Sequence, residues 1–175
     1  MSHSSIRLQQ LFADDAQLLS EVAIKAYRDH YLNLWYDDGA WYIDKYFSAP
    51  ALQQELLDEN ALFFLVYDKE SPTGFLKINT DAALAGDAKE QALELERIYL
   101  TKNASGKSIG SYILNFIFDI ARSKNKKIIW LKVMDSSKAV NFYKHHGFEI
   151  CGTHHLDFKQ MKQELRGMFI MKKYL

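Results

Sequence analysis

The chain has 175 residues, 48% hydrophobic and 14% aromatic, which suits one domain (1–175) with a sizeable core and excludes a disordered chain. Its 22 basic residues balance 22 acidic ones, so net charge demands neither nucleic acid nor a membrane surface as partner. The one cysteine, Cys151, excludes an internal disulfide framework, and no apolar run reaches signal or membrane-helix length, so a cytoplasmic location is expected.

The opening "IRLQQLF" alternates apolar and polar residues and predicts a first strand. The run "ADDAQLLSEVAIKAYRDHYLNLWY" follows with Leu18, Val22, Tyr27 and Tyr31 at helical spacing, and is predicted as one helix broken by "DDGAW". "SAPALQQELLDEN" predicts a second helix, with the Ser48 hydroxyl as its cap. "ALFFLVYD" and "GFLKINTD" then read as a hairpin around the turn "KESPTG". After a polar, small-residue connection, "ALELERIYL" predicts a central strand and "IGSYILNFIFDIARSKN" a helix. "KKIIWLKVMD" is the next strand, and "SSKAVNFYKHHG" is a helix ended by Gly147 as a left-handed cap. "FEICGTHHLDF" and "RGMFIMKKYL" close the chain as a strand pair. The order predicts an α+β sheet with a parallel crossover in its middle.

Within it, the strand "ALELERIYL" runs into the loop "TKNASGKS" and then a helix. The first turn of a helix carries unpaired N–H groups and a positive end, which can hold a phosphate. Gly106 and Gly110 let backbone approach a ligand closely, and Lys107 adds a movable charge. The spacing fails both G-x-x-x-x-G-K-[ST] and G-x-G-x-x-G, so on spacing alone a glycine-bearing helix start is the plainer reading.

Two segments bear on that choice. "AVNFYKHHGFEICGT" resembles the A-x-x-F-Y-x-x-x-G-F segment of the Gcn5-related N-acetyltransferases (GNAT). Ser105-Gly106-Lys107-Ser108-Ile109-Gly110 stands where that family has its acetyl-CoA pyrophosphate loop, [QR]-x-x-G-x-[GA]. The resemblance covers nearly the whole chain, and "LELERIYL" is most similar to bacterial PaiA-type spermine/spermidine acetyltransferases. It implies the GNAT fold, a central mixed, twisted β-sheet flanked by helices on both faces. It also implies acetyl-CoA as cosubstrate, held by the backbone amides from Gly106 to Ser111 and the main chain of Ile98, Tyr99 and Leu100. The Ile98 N–H is the expected oxyanion donor. The chain departs from the pattern at Ser105, at Ser108 where the family has Gly, and at Ser136 where many relatives have a pantetheine-binding Asn. Asn141 is either a cofactor contact or an exposed or capping residue.

Amine acetylation needs a base for the ammonium and an acid for the departing thiolate. Glu94 and Glu96 lie two apart on one strand face, with Ile98 and Leu100 expected to continue that row. The resemblance places the base there, Glu96 first and Glu94 second; the alternative is a solvated or Arg97-paired role. Partial burial would raise such a carboxylate toward the working range. Tyr143 is the implied general acid, against the alternative of a core tyrosine. A polyamine acceptor would need carboxylates and aromatic faces, which Trp35, Tyr36, Asp37, Asp38, Trp41, Tyr42 and Asp44 supply, with Asp81 and Asp87 in another loop; a plain helix-packing cluster is the alternative. The pairs His145–His146 and His154–His155 match no zinc spacing, so no metal is expected. The expected activity is acetyl transfer to a small primary amine by a monomer or homodimer. Protein N-terminal or lysine acetylation, or a non-catalytic CoA-binding regulator, are the alternatives.

Overall fold

The computed structural model describes residues 5–104 and 108–175. Among them are the strands β1 (Ile6–Leu11), β2 (Ala61–Asp68), β3 (Ser71–Asn79), β4 (Ala92–Leu100), β5 (Ile128–Met134), β6 (Glu149–His155) and β7 (Gly167–Tyr174). They form one sheet in the order β1-β2-β3-β4-β5-β7-β6. Every neighbouring pair is antiparallel except β4 and β5, which are parallel. The helices are α1 (Ala16–His30), α2 (Ala40–Phe47), α3 (Ala49–Leu56), α4 (Ile109–Ser123) and α5 (Ala139–His145).

The apolar rows of the helices dictate the layers. On α4, Ile113, Leu114, Ile117, Phe118 and Ala121 recur at three- and four-residue steps and pack, with Val140 and Tyr143 of α5, on one sheet face. On α1, Leu19, Val22, Ala23 and Tyr27 do the same against the other face, with Phe47 and Leu52 from α2 and α3. The expected α+β sheet covered on both faces is the observed fold. Gly147, at φ +86°, ends α5 in the left-handed conformation that the sequence predicts.

Three expectations change. The predicted long helix stops at His30, because Trp35 leaves helical geometry to bridge Met161 in extended conformation. A separate helix, α2, then starts after Gly39, and the Asp37 carboxylate accepts the Gly39 and Trp41 N–H groups at 3.1 and 2.8 Å. The Ser48 hydroxyl makes no cap; only its carbonyl joins α3, accepting the Leu52 N–H at 3.0 Å. The β2–β3 turn is the two residues Lys69 and Glu70, so Pro72 and Gly74 lie inside β3. Pro72 is tolerated there because Thr73 is an extra residue between the pairs Val66–Gly74 and Tyr67–Pro72.

Gly74 pairs with Leu100 of β4, and a Cβ there would overlap the Tyr99 carbonyl oxygen and the Leu100 side chain. Gly74→Ala is therefore expected to destabilise the fold by about 1–3 kcal/mol. Urea unfolding measures this, and an unchanged midpoint would contradict the close packing.

Candidate active site

β4 and β5 pair from Ala92–Ile128 to Leu95–Leu131 and no further, although β4 runs on to Leu100 and β5 to Met134. The two strands diverge from that point, and a cavity of about 410 Å³ opens between them. The edge of β4 beyond Leu95 thus faces a gap. An extended ligand can pair with such an edge as an added strand would.

The divergence coincides with a bulge. On the β3 side, Lys77 pairs with Arg97 and Ile78 with Leu95, so Glu96 is an extra residue on β4. The bulge resets the alternation. Leu93 and Leu95 face the α4–α5 core, and Ile98 and Leu100 return to that same core, whereas Tyr99 packs with α1 and α2. Ile98 and Leu100 therefore do not continue the row of Glu94 and Glu96, contrary to the simple two-residue repeat.

The two carboxylates differ sharply in their surroundings. Glu96 is ion-paired to Lys77 Nζ at 2.7 Å and to Arg97 at 3.2 Å. Burial alone would raise its pKa, but those two cations outweigh it and hold the group below the ordinary glutamate value. Glu94 makes no ion pair among the described residues. Its Oε2 accepts a 3.0 Å hydrogen bond from Asn79 Nδ2, and its Oε1 accepts none among those residues. Burial dominates there and pushes its pKa up, with the Asn79 bond opposing and the Glu96 charge adding to the rise. The rise expected for a half-buried carboxylate is found at Glu94 and reversed at Glu96.

Tyr143 comes to the same cavity from α5. It is buried, and burial raises its phenol well above the usual range, with a further push from nearby Tyr31. Its hydroxyl has no hydrogen-bond partner among the described residues, so a proton is available for donation. The opposite wall is aromatic: Tyr27, Tyr31, Trp35, Tyr42 and Tyr46. Trp35 Nε1 donates to Tyr27 Oη at 2.8 Å, and the Tyr42 ring stacks on Tyr27. The roof is Leu156, Phe158 and Met161, from the segment between β6 and β7. It is latched by backbone bonds, Tyr36 N–H to Gln160 carbonyl and Lys162 N–H to Leu34 carbonyl, both 2.9 Å.

The remaining predicted positions scatter. Asp37 is engaged as a turn and helix cap, and Asp38 and Asp44 lie outside the cavity wall, as do Tyr36 and Trp41. Asp81 is paired with Lys126. Glu94 and Glu96 are the carboxylates on the described wall, with the cation Arg97 beside them on β4 and Lys132 on β5. Ser136 and Asn141 are exposed and off the wall, while Ser137 and Ala139 line it. At the start of α4, Ile109 is core, Gly110 packs against the Phe142 ring, and Ser111 Oγ lies 3.0 Å from His146 Nε2. Ser105, Gly106 and Lys107 lie outside the described residues. Among those described, no three His, Cys, Asp or Glu side chains group as metal ligands, and no helix is long and apolar enough to cross a membrane. Sequence reasoning missed Asn79 and Lys77, whose signal is cross-strand register, and Glu55 on α3, Phe158 and Met161, which carry no local signal.

Residues 19–148 match the acetyltransferase (GNAT) family. An uncharacterized N-acetyltransferase from the pepI 3′ region of Lactobacillus delbrueckii subsp. lactis is 27% identical over 119 residues, 67% of this chain and 69% of that one. Streptothricin acetyltransferase of Streptomyces lavendulae is 32% identical over 92 residues, and the match spans about half of each chain, 49% and 48%. The crystal structure of PaiA N-acetyltransferase from Thermoplasma acidophilum in complex with coenzyme A shares the fold, with TM-score 0.75 and 23% identity over 100% of both chains.

Ser108 precedes α4 at φ +59°, in the left-handed region that glycine adopts freely. That conformation costs a serine roughly 1–2 kcal/mol, partly offset in any comparison with glycine by glycine's greater unfolded-state freedom. Ser108→Gly is expected to stabilise the protein by about 0.5–1 kcal/mol in urea unfolding. Destabilisation would show that the serine side chain itself holds the turn.

Proposed function

Because the chain belongs to the acetyltransferase (GNAT) family, we propose that it transfers the acetyl group of acetyl-CoA to a primary amine, with Glu94 as base and Tyr143 as acid. The observation that carries this reading is the gap between β4 and β5, which has an available carboxylate on one wall and an available phenol on another.

The site fits the cosubstrate's shape and charge. The main chain of Ile98, Tyr99 and Leu100 borders the open strand edge and suits a pantetheine arm. The start of α4, Ser108 to Ser111, suits the pyrophosphate, and the resemblance assigns Ser105, Gly106 and Lys107 to the same group. Bound acetyl-CoA supplies an activated acyl carbon and a thiolate leaving group. Glu94 takes a proton from the ammonium, which frees the nitrogen lone pair for attack on the acyl carbon. The Ile98 N–H stabilises charge on the carbonyl oxygen. The carbon–sulfur bond then breaks, and Tyr143 donates its proton to the sulfur. Glu96, the first choice from sequence, is the weaker base because Lys77 and Arg97 occupy both of its oxygens.

The acceptor is read as a polyamine such as spermidine or spermine, entering by one terminal arm. Its ammonium meets Glu94, and its methylenes lie along the tyrosine wall, where the ring faces also attract cations. The resemblance of "LELERIYL" to PaiA-type spermine/spermidine acetyltransferases supports this choice of acceptor class.

The test is an amine panel with acetyl-CoA, followed by free thiol: spermidine, spermine, phenethylamine, an alanyl N-terminal peptide and a lysine peptide. Spermidine and spermine are expected to give the highest kcat/KM. Glu94→Gln is expected to lower kcat by about 10²-fold or more, and Tyr143→Phe to lower kcat about 10- to 100-fold with the KM for acetyl-CoA unchanged. Acetyl-CoA binding without thiol release from any amine would sink the enzymatic reading.

A further inference from the structure

A charged cluster runs from the cavity wall, at Glu96 and Arg97, to Lys77 and Glu55 off it. Lys77 Nζ sits between Glu55 Oε2 at 2.8 Å and Glu96 Oε2 at 2.7 Å. The Arg97 guanidinium spans the same two partners, 3.1 Å from Glu55 and 3.2 Å from Glu96. Two cations and two carboxylates form a closed, neutral square. Glu55 reaches it from α3 and is not on the cavity wall. Asn79 then links the square to Glu94: its Nδ2 donates to Glu96 Oε2 at 2.7 Å and to Glu94 Oε2 at 3.0 Å, using both amide protons on carboxylates.

We propose that Glu55 and Asn79 are positioning residues that set the ionisation of Glu94 in opposite directions. The proposal rests on Glu94 acting as the base. Asn79 hydrogen-bonds the charged form of Glu94 and so favours ionisation. Glu55 cancels one of the two positive charges of Lys77 and Arg97, and adds its own negative field, so it disfavours ionisation. The charged groups acting on Glu94 are Glu96 on β4, Lys132 on β5 and Lys77 on β3. Arg97 and the tyrosines Tyr27, Tyr31, Tyr42, Tyr46, Tyr99 and Tyr143 share its cavity wall, and Glu55 on α3 joins through Lys77 and Arg97. Glu55, Lys77 and Asn79 lie off the cavity wall, and of these Glu55 and Asn79 can be changed without removing a cation of the square.

The sign follows for each variant. Asn79→Ser removes a bond to the charged form, so Glu94 titrates at higher pH. Glu55→Gln leaves the square with net charge +1, so Glu94 titrates at lower pH. Carbon-13 labelled glutamate carboxyls, followed by NMR against pH, read these midpoints without turnover, and the resonance missing in Glu94→Gln gives the assignment. The acid limb of kcat/KM for spermidine should move the same way. At acidic pH it should fall about 3- to 10-fold in Asn79→Ser and rise about 2- to 3-fold in Glu55→Gln, with the alkaline plateau little changed. If Asn79→Ser does not fold, the isosteric Asn79→Asp should raise the Glu94 midpoint further, since it adds a carboxylate. Midpoints that stay fixed, or that move together in both variants, would overturn the proposal. A Glu94→Gln enzyme with the wild-type pH profile would overturn the base assignment instead, and the two failures are told apart because the midpoints need no catalysis.

Discussion

The parallel pairing of β4 and β5 stops at Leu95 and Leu131, and both strands run on into the interior of the sheet. Buried backbone groups without partners are costly, so an open edge in mid-sheet needs a structural cause and a use. The cause is one added residue. Glu96 bulges from β4 immediately after the last paired residue, and a bulge bends its strand and increases local twist. The use is the cavity, which makes the open edge reachable. α5 lays Tyr143 along one side of it, and the aromatic end of α1 with α2 closes the other. Of the register shifts in the sheet, this is the one at the point where β4 and β5 part, and the site follows from it.

That interruption also brings two carboxylates together on a half-buried wall, where like charges repel at short range. The protein relieves this by asymmetry. Lys77 and Arg97 fall to Glu96, and Glu94 is left with one amide bond from Asn79. A buried ionic cluster of this kind contributes little net stability, because desolvation offsets much of the attraction. Its effect is on charge: the two cations hold Glu96 as an ion, while burial disfavours the charged form of Glu94. Arg97 shows the other side of the arrangement. Burial works against its charge, yet Glu55 and Glu96 raise its pKa above the ordinary value, so the clamp keeps its charge throughout the working range.

Much of the frame was legible in the sequence. Each strand of the sheet carries its own alternation or β-rich run, Gly147 marked a helix end, and "AVNFYKHHGF" singled out Tyr143. What escaped was non-local. No two-residue repeat reveals a bulge, so the faces of Ile98 and Leu100 were assigned to the wrong side. The Asn79–Glu94 pair depends on β3–β4 register, which the long connection between those strands does not dictate. The end of α1 at His30 is set by backbone bonds to residues 160–162, more than a hundred positions away. Ser108 is the converse case: its departure from the family pattern was visible at once, and only its φ gives that departure a physical meaning.

The latch between residues 34–36 and 160–162 divides the cavity by origin. The strand edge, the start of α4 and Tyr143 come from one continuous stretch, and that stretch lies within residues 19–148, the span matched by the family. The roof, Leu156, Phe158 and Met161, lies beyond it. It is held by two main-chain bonds and by packing of Phe158 and Met161 against the aromatic cluster of α1 and α2. The roof can therefore change with the aromatic cluster it packs on, while the strand edge, the start of α4 and Tyr143 keep their places. Chains with the same signature over the matched span are free to enclose different molecules under different lids.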